Sequence, residues 1–514
     1  MRTTLLTRLA LLSFIVWLSF YVWLRQSSRI ASQFPGLRWP GLLRPQREDL
    51  APHRNSTADP EILNFWQAWT ENILIARPKA RPVRVTGPAP NTPAPIDPLA
   101  IRKPPLSYVQ LAEEDVDQLR HSHAQFKSYV DNLDATTAAE ELYKGIGVIT
   151  VAGGEYYGPA IVGINLLRQT GSTLPVEVFL ASWDEYEAAL CEDTLPALGA
   201  KCVVIDDYLK PQQESGADSK SNGGLHVTHY QLKALALILS SFQHVLYIDS
   251  DSIPLVDPEQ ELFSSEAYMT TGLVGWPDFW QSSEHPRFYE IAGLGETFPN
   301  DLPASTSEAG QLLLNKVVHL KTLLLAAYYN VWGPEYYYPL LSQGAMGEGD
   351  KETFTTAAYV LKQPYYRVKT PVKSIGRKIA GIYKGTAMVQ WHPIDDYNKY
   401  VKPEAVHKRQ VDKPLGSIEA ALRPAFVHSN TPKMNAGHLV DEGDLEDEST
   451  GKSLRLWGPV AEQQAIFGDD LEKRVWLVLV RIGCELENTL KEWRGRKNLC
   501  KRLKKHWLNV FEVT

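Results

Sequence analysis

The sequence predicts an α/β fold, a mostly parallel sheet flanked by helices, on three observations. From residue 143 onward, apolar runs of six to eight residues alternate with helical stretches, the pattern of repeated βα units that builds parallel sheets with helices on both faces. Two of these runs end in Gly153-Gly154 and in Asp249-Ser250-Asp251, at the carboxyl ends of strands, where such sheets hold ligands. Neither Gly-x-Gly-x-x-Gly nor a Walker lysine motif is present, which disfavours a dinucleotide or ATP site.

The elements follow in order. Residues 107–140 read as helical because Val116, Leu119, His123, Phe126, Val130 and Leu133 recur at three- and four-residue spacing; His123 on that stripe is expected in the core or at its boundary. GIGVITVA (145–152) is a strand, followed by a helix near Gly158–Gln169. The strand VEVFLA (176–181), a helix around Asp184–Leu198 and the strand KCVVID (201–206) come next. A polar loop at 210–226 leads to a helix at about 229–240, which delivers the chain into VLYIDSD. The second half is less regular. VGWPDFW (274–280) and YYNVWGPEYYYPLL (328–341) are dense in aromatics; beside carboxylates such rings suit the apolar face of a sugar, the alternative being that they are core. Residues 441–450 hold six Asp or Glu and are expected as a surface loop.

Ahead of this unit, Met1–Leu24 reads as a membrane anchor. Residues 1–8 are expected as a cytoplasmic tail and the uncharged stretch 9–24 as a signal anchor, with arginines on both flanks; the alternative is a cleaved signal peptide. A stretch of sixteen residues is a little short for an average bilayer and suits a thin early-secretory or Golgi membrane. The rest would then lie in the lumen, as a single-pass type II protein. Residues 25–105 are expected as a stem, since 78–105 holds nine prolines and such a stretch is stiff and extended. A short helix is expected within it at Glu61–Ile75, and a catalytic domain over 106–514. Four cysteines fall in two sequence-close pairs, Cys191/Cys202 and Cys484/Cys500, the natural disulfides of an oxidising lumen although four cysteines allow three pairings. Asn55-Ser56-Thr57 is an N-glycosylation sequon. A net charge of −7 gives no global basic field for nucleic acid, and the basic run Lys491–His506 is expected as the solvated face of a terminal helix.

The chemistry centres on HVLYIDSDSIP (244–254). An apolar run that ends in two carboxylates one residue apart is a platform for a hard divalent cation, Mn²⁺ or Mg²⁺, shared with substrate phosphates. On an extended strand residues i and i+2 point the same way, so Asp249 and Asp251 would reach one ion. The alternative is an Asp-Ser-Asp turn closing a strand.

At this point the chain resembles a known family. YQLKALALILSSFQHVLYIDSDSIPLVDP (230–258), EAGQLLLNK (308–316), GEGDKETF (347–354) and FVHSNTPKMN (426–435), in that order, resemble the fungal Golgi mannosyltransferases of glycosyltransferase family 71. They are most similar to the α-1,2-mannosyltransferases that start side branches on cell-wall mannan. The resemblance covers roughly residues 140–440. It implies a GT-A fold, GDP-mannose as donor, a divalent cation (usually Mn²⁺), retention of the α configuration, and a mannan or N-glycan acceptor. It further implies Asp249 and Asp251 as metal ligands with His428, and Lys433 on donor phosphate. Glu308, Gly310 and Gln311 would line the donor sugar, and Asp350 and Lys351 the acceptor side; Gly153 and Gly154 join the donor-binding set by their place after the first strand. Ala309 stands where serine is expected in the Glu-x-Gly-Gln segment, which puts any hydroxyl contact there in doubt.

Positive charge growing at the anomeric carbon needs a nearby anion, and Asp350, Glu352 and Glu308 are the candidates, Asp350 first. Three further readings stay open at this stage: another linkage such as α-1,3, a UDP-sugar donor, and a non-catalytic lectin or scaffold of a Golgi transferase complex. The intact Asp249/Asp251 pair argues against the last.

Overall fold

The computed structural model describes residues 55–209, 225, 227–379, 381–402, 422–447 and 450–512. The expected tail, anchor and first part of the stem (1–54) and most of the loop 210–226 lie outside the described residues. Among the described residues no helix is long and apolar enough to cross a membrane.

Asp59 starts the first helix by accepting from the N–H groups of Glu61 and Ile62, with Pro60 in the first turn. This helix, α1 (Pro60–Ile75), buries Ile62, Trp66, Trp69 and Ile73, one face at three- and four-residue spacing. Trp69 meets Phe126 at 6.0 Å. Phe126 belongs to α2 (Glu113–Asn132), which buries Val116, Leu119, His123 and Val130 with it. The helix expected over 107–140 is two, because Asp134 caps a new start for α3 (Ala135–Leu142). His123 is in the core as expected, 2.8 Å from the Tyr329 hydroxyl, with burial drawing its pKa down to about 3.

The proline-rich stretch departs from its expected role as a spacer. Val83 donates its N–H to the Glu335 carbonyl at 2.8 Å and Ala89 to Gln343 at 2.9 Å. Pro93 and Ile101 bridge to Trp280 and Pro303. Arg102 is buried and paired with Glu284 at 2.5 Å. Prolines deny this segment a core of its own, yet an extended chain still offers alternate N–H groups to a neighbour, and the compact unit accordingly begins at Arg54 rather than at 106. A chain starting at residue 106 is therefore expected to be insoluble, whereas one starting at 55 shows a cooperative thermal transition. It would lose four buried side chains of α1, about 2 kcal/mol each, and leave Glu284 without Arg102, about 3–5 kcal/mol more. Together these rival a whole domain's stability of roughly 5–15 kcal/mol.

The sheet begins with β1 (Ile146–Val151), followed by α4 (Tyr157–Gln169), β2 (Val176–Leu180) and β3 (Ala200–Val204). The helix expected over 184–198 is broken into short turns. Helix α5 (Gln231–Leu239) then carries the chain back to β4 (His244–Ile248) on the other side of β1, and β5 (Ser252–Pro254) follows at once. Next come β6 (Leu273–Gln281), β7 (Ser305–Asn315), α6 (Lys316–Val331), α7 (Thr353–Val360) and β8 (Tyr366–Arg367). The seven-stranded order is β8-β6-β7-β4-β1-β2-β3. It is parallel except where β7 runs against β4 and β6, so the sheet is mixed. The chain reverses its march at β1, which makes the crevice beyond the carboxyl ends of β1 and β4 the topological switch point.

A second sheet is antiparallel, in the order β9-β10-β11-β5, from β9 (Lys373–Ile379), β10 (Ile382–Trp391), β11 (Pro424–His428) and the short β5. The chain closes with α8 (Ala436–Asp441), α9 (Leu471–Leu486) and α10 (Leu499–Phe511). Helix α10 buries Leu499, Leu503, Trp507 and Phe511 and leaves Lys501 and Lys505 exposed, as expected of the basic run. Both disulfides form in the expected pairs, Cys191–Cys202 and Cys484–Cys500. The aromatic tracts differ from the sugar-gripping reading: Trp276, Tyr328, Tyr329 and Tyr337 are fully buried, the tyrosines packed on one another and on α2 and Trp276 edge-on to Phe426 of the second sheet.

Candidate active site

Strand β4 buries Val245, Leu246, Tyr247 and Ile248 and then turns sharply. Ser252 donates its N–H to the Asp249 carbonyl at 2.9 Å. Asp249 and Asp251 therefore sit on a tight turn between the two sheets, not on one extended strand, and they converge because the turn folds them together. Ser252 opens β5, and the register of the second sheet sets His428 directly opposite it. One ligand atom each from Asp249, Asp251 and His428 then lie within 4.8 Å of one another. His428 Nε2 is 3.1 Å from Asp251 Oδ1, and Nδ1 is 3.3 Å from Glu308 Oε1.

Two lysines bracket the turn. Lys433 pairs with Asp251 and lies 5.4 Å over the Tyr156 ring. Lys233, on α5, is 3.2 Å from Asp249 and 3.1 Å from Asp350, and donates to the Ala309 carbonyl at 2.7 Å. The Tyr247 hydroxyl donates to Asp249 at 2.5 Å. Asp251 is buried, whereas Asp249 keeps 28 % of its side chain exposed, so Asp249 is the face of the cluster open to a ligand.

The charges follow from this packing. Burial opposes the ionised form of Asp251, but His428 and Lys433 outweigh it and hold the carboxyl well below its usual range. Burial likewise opposes ionised Glu308, yet His428 brings it down to about 2. The His428 ring, also buried, is pulled well above its ordinary pKa by Asp251 and Glu308. Asp350 behaves differently: burial raises it to about 6 against the pull of Lys233.

Strand β7 supplies the wall behind His428. A Cβ at Gly310 would stand 2.7 Å from His428 Nδ1 and 2.8 Å from Glu308 Oε1, distances that real Cβ atoms do not tolerate. Gly310 also accepts the Asp249 N–H at 2.8 Å, so the site needs glycine for close approach of the imidazole. Gly310→Ala is expected to push the ring off Asp251, costing about 1–3 kcal/mol in thermal unfolding and about tenfold or more in turnover; unchanged turnover would show that the ring position is unimportant.

The other sequence candidates separate. Gln311 is wholly buried and accepts from the Ser252 hydroxyl at 3.2 Å, so it braces the turn from behind. Lys351 is directed to Asp278 at 2.6 Å, a second buried pair. Glu352 turns away from the cluster, accepting the Ser307 N–H at 2.8 Å; burial and the neighbouring Glu284 raise it to about 7. Of the three catalytic candidates, Asp350 and Glu308 thus border the metal-ligand group and Glu352 does not. Gly153 and Gly154 form the turn after β1, both with positive φ. Asn55 is exposed. Sequence reasoning missed Lys233, Tyr247 and Tyr156. Lys233 is the one charge in the apolar helix QLKALALIL, and Tyr247 precedes Asp249 by two residues on the same strand; both were signals.

Two carboxylates and an imidazole converging from a turn and a strand end suit a divalent cation such as Mn²⁺ or Mg²⁺. The buried Nδ1 of His428 and Oδ2 of Asp350 also lack well-formed hydrogen bonds, as expected of a polar cluster built around a ligand.

A family profile described as "Mannosyltransferase putative" matches residues 145–391. Alpha-1,2-mannosyltransferase MNN21 of Candida albicans is 35% identical over 79% of this chain and 67% of its own length. Alpha-1,2-mannosyltransferase MNN2 of Saccharomyces cerevisiae is 36% identical over 74% of this chain and 71% of its own. Among solved structures, the glycosyltransferase GlyE of Streptococcus pneumoniae overlaps 44% of this chain and 45% of its own at 15% identity, with a TM-score of 0.26, too loose a likeness to establish a common fold.

Proposed function

Because the chain belongs to the MNN2-type α-1,2-mannosyltransferase family, and is on that ground a glycosyltransferase, we propose that it transfers mannose from GDP-mannose to a mannose hydroxyl of mannan or an N-glycan outer chain. The linkage is α-1,2 with retention, on a GT-A arrangement of the sheet. The observation that carries the reading is the convergence of Asp249, Asp251 and His428 at the switch point of the sheet. A divalent cation, Mn²⁺ first, would be held by these three residues and would act as a Lewis acid on the departing diphosphate.

The chain's own groups do the rest. Lys433 stands beside Asp251 as a point charge for donor phosphate. Asp350 and Glu308 supply negative charge on the side where the anomeric carbon becomes positive, and Lys233 holds Asp350 and Asp249 in fixed relation. Two closed disulfides support an oxidising compartment, consistent with the proposed single-pass type II location in the Golgi with the catalytic part in the lumen.

The test is direct. The full-length chain is incubated with GDP-mannose, an α-1,6-linked mannose oligomer and Mn²⁺. A mannosylated product that disappears with chelator and in the Asp249→Ala, Asp251→Ala double variant is the expected result, and its linkage is then mapped. Turnover of a UDP-sugar in place of GDP-mannose would overturn the donor, and sugar binding without turnover would overturn the transferase.

A further inference from the structure

The donor reading leaves open which residue selects the base. The cluster that would hold the diphosphate continues along one edge of the switch-point crevice. Lys433, paired with Asp251, lies over the ring of Tyr156, which is 39% exposed. Tyr156 follows the turn Gly153-Gly154 after β1. Against that turn stands Glu185, from the segment after β2. A Cβ at Gly153 would be 2.3 Å from Glu185 Oε2 and 3.1 Å from Oε1, so the carboxylate rests directly on the Gly153 backbone. Its Oε2 accepts the Ala181 N–H at 2.9 Å. Among the described residues no hydrogen bond is formed by Oε1, and the side chain is only half-buried. A path thus runs from cation ligands to a lysine, an exposed aromatic ring and a fixed carboxylate.

That order matches the parts of a nucleoside diphosphate. The aromatic ring offers a stacking face to any base. The carboxylate does not treat bases alike. Guanine presents two donors side by side, N1–H and the 2-amino group, which a carboxylate accepts together as it does the paired donors of arginine. Uracil presents one N–H between two carbonyl oxygens, which repel it. Resting on the proposed GDP-mannose donor, we infer that Glu185 is the specificity-determining residue for the donor base, accepting guanine N1–H and its 2-amino group while the ring stacks on Tyr156. Gly153 is glycine because a side chain would displace this carboxylate.

The test is calorimetric binding of GDP, inosine diphosphate and UDP to the full-length chain with Mn²⁺, for the native protein and Glu185→Gln. Inosine diphosphate lacks only the 2-amino group. Glutamine keeps an oxygen for the Ala181 N–H but sets an amide donor against the guanine donors. The expected result is that the native chain prefers GDP over inosine diphosphate by roughly tenfold or more. In Glu185→Gln, GDP binding should weaken by about tenfold to a hundredfold and the preference vanish, with the thermal midpoint unchanged. Equal weakening of GDP and inosine diphosphate, with the preference kept, would reduce Glu185 to a turn brace and overturn the inference alone. Native binding of UDP over GDP would overturn the donor reading, and this inference with it.

Discussion

Asp251→Asn is expected to lower mannosyl transfer by about 10³-fold. Asp251 meets His428 and Lys433 at once, and it is nine-tenths or more buried, so its charge acts at short range without water to screen it. Asparagine keeps the shape of the turn and removes the charge. In the metal-free protein the same change costs about 3 kcal/mol of stability, because it leaves the buried His428 ring with Glu308 alone and Lys433 short of a partner. Asp249→Asn separates the two effects. That carboxylate is more exposed, so its loss should cost a similar factor in turnover and clearly less in thermal unfolding. Both variants are compared by initial rate, by GDP binding with and without Mn²⁺, and by melting. Turnover that survives Asp251→Asn would remove the metal-site assignment.

Lys233→Met carries the second large effect. Lys233 is the sole cation within ion-pair distance of both Asp249 and Asp350 among the described residues, and it is buried. Burial opposes its charge, but the two aspartates raise its pKa above the ordinary value. Without it two carboxylates face each other in a poorly solvated pocket, which should cost about 3–5 kcal/mol and at least a hundredfold in turnover through misplacement of both. Adding Asp350→Asn to Lys233→Met removes one of the opposed charges. Stability should then recover to within about 2 kcal/mol of native, while turnover does not return. Recovery of turnover in the double variant would show that Asp350 takes no part in the reaction.

What could be read from the sequence followed from local rules. The first four strands of the large sheet and the Asp-x-Asp pair that ends β4 rest on short stretches of telling residue types, although the pair was expected on an extended strand and lies on a turn, and the cysteine pairs were only the nearest of three possible pairings. His428 was reached only through resemblance, since 177 residues separate it from Asp251 and nothing local to either announces the contact. Lys233 hid because a lone lysine in a helix is usually solvated, and only the fold shows it directed inward at two carboxylates. The aromatic tract misled for the converse reason: tyrosines at 328, 329 and 337 look like a sugar platform until His123 and Phe126 of α2 are laid over the first two. The proline-rich segment misled because composition reports what a stretch cannot build for itself and is silent on what it leans against.

That segment has a further consequence for what a protease can do to the protein. Residues 91–99 are largely exposed, an inviting place for a nick. Yet the chain on either side is fastened, by α1 upstream and by Arg102 on Glu284 downstream. A cut there would leave two polypeptides riveted as one particle, with the cluster at the switch point undisturbed. Release of the catalytic body from whatever precedes it would have to happen upstream of Thr57, which is already hydrogen-bonded to Asp207 and to the end of β3.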